Sequence, residues 1–300
     1  MSAVFEQVFI LFVFAVIGYV LSKTKVVKNE HSKILSKLLV YVFLPSNIFK
    51  TFAANCNPEY FSKNYVLIIT SAVIIVTLVI TAYLASKLFS KDKYERSVYE
   101  YSMVIPNYGY MGYALAESLT GEAGLLNIMM FALPVACYTY TRGFCILTKR
   151  NMSFKKMANP ILISMFAGVV AGLVKIPIAG TVSAVLNKAS ACMAPVSMLL
   201  AGIVISEFKI KELLTSYKSY IIVALRLFII PVCIGMITLN ICGKEVSQTA
   251  VLLYAMPCGL NTIVFPKTVD GNCKIGASLA FISNILACLS IPVVCYIFGI

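Results

Sequence analysis

Residues 67–85 form an apolar run without one charged side chain, and several stretches of about 20 such residues follow one another along the 300-residue chain. Each is long enough to cross about 30 Å of hydrocarbon as a helix. Lipid offers no hydrogen-bond partner to a bare backbone, so only helices and closed barrels can span it. A barrel would show short alternating segments, which 67–85 does not. The fold class is therefore an all-α polytopic membrane protein. A composition 60% hydrophobic and 12% charged leaves too little polar surface to cover a soluble domain.

The apolar pattern predicts ten transmembrane helices, at about 4–21, 34–54, 64–86, 98–118, 125–147, 158–175, 183–205, 218–241, 247–267 and 275–299. The first is read as a span rather than a cleaved leader. It carries Glu6 in place of a basic start, and it runs into Ser22 and Lys23 with no small-residue cleavage pattern. Lysine and arginine concentrate in the loops after spans one, three, five, seven and nine, from Lys23 and Lys25 to Lys267 and Lys274. The opposite loops hold only Lys50, Lys63, Lys175 and Lys244. The positive-inside rule then places both termini outside the cytoplasm. The net charge of +13 is explained by loop orientation, and no nucleic-acid partner is expected. The ten cysteines fall mostly inside apolar spans with no C-x-x-C pair, which reads as small packing residues. The single histidine, His31, lies in a lysine-rich loop, so neither a metal site nor a cofactor is expected.

Two spans are broken by proline about half a chain apart. Span four contains Pro106-Asn107-Tyr108-Gly109, and span nine contains Pro257-Cys258-Gly259-Leu260-Asn261-Thr262. Proline removes a backbone donor and turns the residue before it away from helix. Other prolines recur at the same shift. Pro45 in span two meets Pro195 in span seven, and Pro134 in span five meets Pro292 in span ten. Each half, 1–150 and 151–300, holds five spans. An odd number forces the halves to insert in opposite senses, which makes two inverted five-helix repeats with crossed broken helices four and nine. Such repeats place substrate near the bilayer midplane.

Val98 to Ile105 rises about 12 Å at 1.5 Å per residue, which sets the first break near mid-depth. The half-helix after each break presents unpaired N–H groups and the positive end of a dipole, so two such ends make an anion site. Asn107, Tyr108 and Gly109 at the first break and Asn261 and Thr262 at the second are the expected substrate contacts. Pro106 and Pro257 are the helix breakers. Asn47 in span two and Ser197 in span seven face the site or mark packing kinks. Glu117 is either a solvated helix end or a coupling group. Arg142 and Arg226 are read as snorkelling to the cytoplasmic surface. Gly168 and Gly172 form a small-residue pair for close helix packing.

Pro106-Asn107 with Met111-Gly112, Met256-Pro257 through Asn261 with Pro266-Lys267, and the tail Leu289-Ser290-Ile291-Pro292-Val293 together resemble the auxin efflux carrier family over nearly the whole chain. The resemblance implies a fold similar to the bile acid:sodium symporters. Spans one, two, six and seven would be a scaffold, spans three to five and eight to ten a mobile transport unit, and the protein a homodimer through its scaffold. It also implies organic anions as substrates: malate, malonate or auxin-like acids. The chain departs from the family at Tyr113, where many members have proline, and in the short junction at 148–159. No acid lies near mid-depth in span nine, the next downstream being Asp270.

The reading is a non-enzymatic secondary carrier of small carboxylates in the plasma membrane, working by alternating access. The alternative is a membrane sensor that binds an organic anion without moving it. Uniport, proton symport and sodium symport all remain open at this stage.

Overall fold

The computed structural model describes residues 2–149 and 160–300, and among them the regular elements are helices. The expected junction at 148–159 falls almost wholly outside the described residues. Helix α1 is Ser2–Lys23. Next, α2 (Ser32–Leu38) passes through a π-turn at Leu39–Phe43 into α3 (Leu44–Asn55). The widened turn lies just ahead of Pro45, whose missing N–H interrupts the helical ladder. Helix α4 (Pro58–Phe89) starts with proline at its first position and with the Asn57 side chain accepting from Tyr60 N–H at 2.8 Å, a proline-plus-cap start.

Helix α5 (Lys93–Val104) is capped by Asp92, which accepts from Glu95 N–H at 2.7 Å. It ends at Ile105, whose φ of −104° and ψ of 113° are extended, the conformation a following proline imposes. The chain re-enters helix through a π-turn at Tyr108–Gly112 and continues as α6 (Tyr113–Tyr138). Gly121 interrupts α6 at φ 66° and ψ −168°, a region open to glycine alone, and the helix kinks there. A further π-turn, Thr139–Gly143, leads to α7 (Phe144–Thr148).

The second half begins with α8 (Pro160–Leu173), followed by α9 (Gly180–Ala191), α10 (Met193–Ser206) and the short α11 (Ile210–Leu214). Helix α12 (Tyr217–Ala224) runs through a π-turn at Leu225–Ile229, just ahead of Pro231, into α13 (Ile230–Cys242). Helix α14 (Lys244–Tyr254) stops at the second proline break, α15 (Asn261–Thr268) restarts beyond it, and α16 (Lys274–Phe298) closes the chain. Among the described residues, six helical stretches are long and apolar enough to cross a membrane. They are Ser32–Ala54, Pro58–Phe89, Ala123–Thr148, Gly180–Ser206, Tyr217–Cys242 and Lys274–Phe298. Val8–Lys23 and Ile163–Leu173 are shorter apolar helices.

Two helix pairs pack without intervening side chains. Helix α8 lies on α3, where a Cβ on Gly172 would sit 2.5 Å from the Phe52 carbonyl oxygen and one on Gly168 3.0 Å from that of Phe49. The Gly168/Gly172 spacing therefore does what it predicted. Helix α1 lies on α10 in the same way. A Cβ on Gly202 would fall 1.9 Å from the Ala15 carbonyl oxygen, and one on Gly18 2.2 Å from that of Leu199. Helix α4 covers α5 and α6, α13 packs on α14, and α14 touches α6. The deepest burial gathers around the two proline breaks: Ile105, Tyr254, Ala255, Met256, Cys258 and Arg226 are fully buried.

Candidate functional site

The two breaks meet. Pro106 and Cys258 form an isolated antiparallel bridge, with Asn107 N–H donating to the Pro257 carbonyl at 2.8 Å and Gly259 N–H to the Ile105 carbonyl at 3.2 Å. The backbone freed by each proline is thus paired by the other break, which is how irregular chain survives inside lipid. Gly259 makes the close approach easier. Its missing side chain would stand 3.1 Å from the Ile105 carbonyl oxygen. Cys258 N–H is held by the Ser283 hydroxyl of α16 at 3.2 Å.

Four helix ends converge on this bridge. Helices α5 and α14 arrive with their C-termini, where carbonyls lack partners and carry negative partial charge. Arg226 meets them. Its guanidinium donates to the carbonyls of Met103 at 3.0 Å, Tyr254 at 2.8 Å and Met256 at 3.2 Å, and it stands 5.3 Å above the Tyr254 ring. The residue is 0% exposed. This corrects the expectation that Arg226 snorkels to the cytoplasmic surface. The π-turn at Leu225–Ile229 carries it, and the side chain turns inward because three orphan carbonyls await it there.

The other two ends are helix starts, at Tyr108 and at Asn261. The two asparagines expected there differ. Asn107 is 1% exposed, and neither its amide nitrogen nor its amide oxygen has a hydrogen-bond partner. A buried amide left open on both sides costs about 1–3 kcal/mol. Asn261 is closed: its amide donates to the Tyr101 hydroxyl at 2.9 Å and accepts from the Tyr110 hydroxyl at 3.1 Å. Thr262 spends its hydroxyl on the Gly259 carbonyl at 3.0 Å.

Tyr108 and Gly109 line a narrow cleft together with Asn47 and Leu44 of α3, Met165 of α8 and Met193 of α10. Asn47 accepts from the Ser190 hydroxyl at 2.5 Å. The cleft offers about 10 Å³ of water-accessible space, roughly one water's worth. As it stands the cleft has no room for a larger solute. Ser197 is buried and returns its hydroxyl to the Ala194 carbonyl at 2.8 Å. The structure thus brings Asn47, Tyr108 and Gly109 to one cleft with Asn107 next to them in the chain, and leaves Ser197 and Thr262 bound to their own backbone.

Glu117 is exposed. The acid that lies inside a broken helix is Glu100, 4% exposed on α5. It accepts from the Tyr138 hydroxyl at 3.2 Å and from Arg142 at 3.4 Å. Arg142, half exposed at 48%, therefore reaches a carboxylate as well as the surface. The signal was available in the sequence: Glu100 lies within the expected fourth span. Lys267 in the last turn of α15 donates to both carboxylate oxygens of Glu207, just after α10, at 2.7 and 2.9 Å. Lys33 of α2 pairs with Asp270. Asp270 is exposed, and its hydrogen bond from the Lys33 ammonium holds its carboxyl below the usual range. Among the described residues, no three histidine, cysteine or acidic side chains cluster as a metal site would need.

The chain is similar to known membrane transport proteins over nearly its whole length. A family model described as "Membrane transport protein" matches residues 3–159 and 147–295. An uncharacterized transporter of Methanocaldococcus jannaschii is 26% identical over 306 residues, covering 95% of this chain and 96% of its own. An uncharacterized transporter of Methanothermobacter thermautotrophicus is 24% identical over 302 residues, covering 96% of each chain.

Proposed function

Because the chain belongs to the membrane transport protein family, the auxin efflux carrier-like transporters, we propose that this non-enzymatic membrane transporter is a secondary carrier of small organic anions. One observation carries the reading: a buried amide, Asn107, open on both its donor and its acceptor, at the start of a helix and beside a closed cleft. A carboxylate oxygen accepts from the amide nitrogen and from the first N–H groups of the Tyr108–Gly112 turn, where the dipole end is positive. The amide is neutral, so it binds an anion without holding it permanently.

Ten spans in two inverted repeats belong to the same reading. The meeting of two proline breaks in antiparallel pairing and the two glycine-mediated helix pairs, α3 with α8 and α1 with α10, support it. Helices α1, α3, α8 and α10 act as the scaffold, and the crossing slides past them as the cleft opens first to one side and then to the other. Homodimerisation through the scaffold, a plasma-membrane address and extracytoplasmic termini complete the proposal. The last rests on the basic loops.

The test is solid-supported-membrane electrophysiology on the purified protein in liposomes, challenged with malate, malonate, lactate and indole acetate. A saturable current with one of these acids, shifted to much higher anion concentration in Asn107→Ala, is the expected result. Saturable anion binding by the purified protein with neither current nor uptake of radiolabelled anion in any gradient would make it a sensor, and a current unchanged in Asn107→Ala would move the site elsewhere.

A further inference from the structure

Backbone carbonyls at half-helix C-termini are the groups that transporters use to hold a coupling sodium ion. Here three such carbonyls, of Met103, Tyr254 and Met256, converge from α5 and from the end of α14. All three are occupied by one side chain. That side chain is fully buried and forms no ion pair among the described residues. A guanidinium is always charged and presents five donors in a rigid fork. Among the described residues its positive charge is met by these carbonyls and by the Tyr254 ring face.

We propose that Arg226 is the resident cation of the crossing. It fills the position a coupling cation would take and makes the carrier independent of sodium, a conclusion that rests on the carrier reading above for its meaning in transport. Every bond the guanidinium makes goes to the crossing itself, so the charge stays with the crossing through the cycle. It cancels the negative ends of α5 and α14, and the anion then meets only the positive helix starts.

The proposal is tested on the protein alone, without any anion. Thermal unfolding midpoints are measured for the purified full-length protein and for Arg226→Ala, Arg226→Lys and Arg226→Gln, in sodium chloride, guanidinium chloride or choline chloride at equal ionic strength in the low millimolar range. Wild type is expected to be unmoved by exchanging sodium for choline. Arg226→Ala is expected to unfold several degrees lower and to regain part of that loss saturably with guanidinium, but not with choline. Should Arg226→Ala fail to fold, the order decides: Arg226→Lys, which keeps the charge, is expected above the neutral Arg226→Gln.

Saturable stabilisation of wild type by sodium would overturn the proposal. So would an Arg226→Ala protein indifferent to guanidinium, or equal midpoints for Arg226→Lys and Arg226→Gln. These outcomes do not depend on currents, so a failure here leaves the carrier reading standing, and an absence of anion currents leaves the role of Arg226 standing.

Discussion

Replacing Asn107 and Asn261 by alanine, one at a time, separates a binding amide from a structural one. The Asn107 side-chain amide has no hydrogen-bond partner among the described residues. Its removal forfeits no internal contact and relieves a buried amide whose burial costs about 1–3 kcal/mol. The small cavity left behind offsets part of that gain. The unfolding midpoint of Asn107→Ala should therefore equal that of wild type or exceed it slightly. Anion binding should suffer instead. A hydrogen bond to a charged group contributes about 1.5–3 kcal/mol, which is roughly 10-fold to 150-fold in the half-saturating concentration. Asn261→Ala should behave in the opposite sense. It strands the buried hydroxyl of Tyr110 and takes a donor from that of Tyr101, at about 1–3 kcal/mol for the stranded group, so its midpoint falls clearly. The assays are thermal unfolding in detergent and the concentration dependence of anion-evoked current. An Asn107→Ala protein as destabilised as Asn261→Ala, or one with unchanged half-saturation, would refute the reasoning.

Other consequences are as direct. A methyl group on Gly202 would meet the Ala15 backbone oxygen at 1.9 Å, and backbone cannot step aside cheaply. Gly202→Ala should lose about 1–3 kcal/mol through overpacking, read as a lowered unfolding midpoint, and an unchanged midpoint would mean that α1 and α10 are not in backbone contact. Lys267→Ala breaks a pair whose partners are only 18% and 19% exposed. A loss of about 1–2 kcal/mol shifts the local closed-to-open ratio roughly 5–30-fold, so amides of 261–268 should exchange faster with deuterium; identical exchange would deny the pair any holding role. The depressed carboxyl of Asp270 contributes stability above the ordinary carboxylate range, and that contribution is lost as pH falls through its lowered value. Acid should therefore separate Lys33 from Asp270 only below the ordinary carboxylate range, under about pH 4, and Asp270→Asn should flatten the midpoint-against-pH curve there, which unfolding scans continued into that range would reveal.

The breaks at Pro106 and Pro257 were legible because proline chemistry is local: the residue before each must leave the helix, and Ile105 does. Gly168 and Gly172 were legible for the same kind of reason, since a four-residue spacing puts both on one helix face. Gly18 and Gly202 were not, because each stands alone in its own helix and the contact exists only once α1 lies on α10. The asparagines were found as residues but not as roles. That Asn261 is spent on Tyr101 and Tyr110 depends on side chains 160 and 151 positions away. Arg226 was placed at the surface by depth alone, a rule that holds while water is the best partner in reach. Three unpaired carbonyls at two helix ends are a better one, and no property of the sequence around 226 announces them. Glu100 was overlooked although it lies inside a predicted span; its partners Tyr138 and Arg142 are some forty residues on.

The charge at the crossing limits what it can carry. Each helix end is equivalent to roughly half an elementary charge. Helices α5 and α14 bring two negative ends, about one negative charge together, and the guanidinium of Arg226 offsets that sum. The two helix starts beyond the breaks contribute about one positive charge, with Asn107 adding only a dipole. A single carboxylate closes this sum; a second on the same molecule enters a buried space with nothing left to meet it, at a cost that grows as the dielectric falls. Of the four acids, lactate and indole acetate should therefore saturate at lower concentration at pH 7 than malate and malonate. Lowering the pH toward the second carboxyl pKa of malonate should bring it closer to the monoanions. Malonate saturating first at pH 7 would mean that the sum omits a cation, and that the anion reaches further from the crossing than Asn107 and its neighbours.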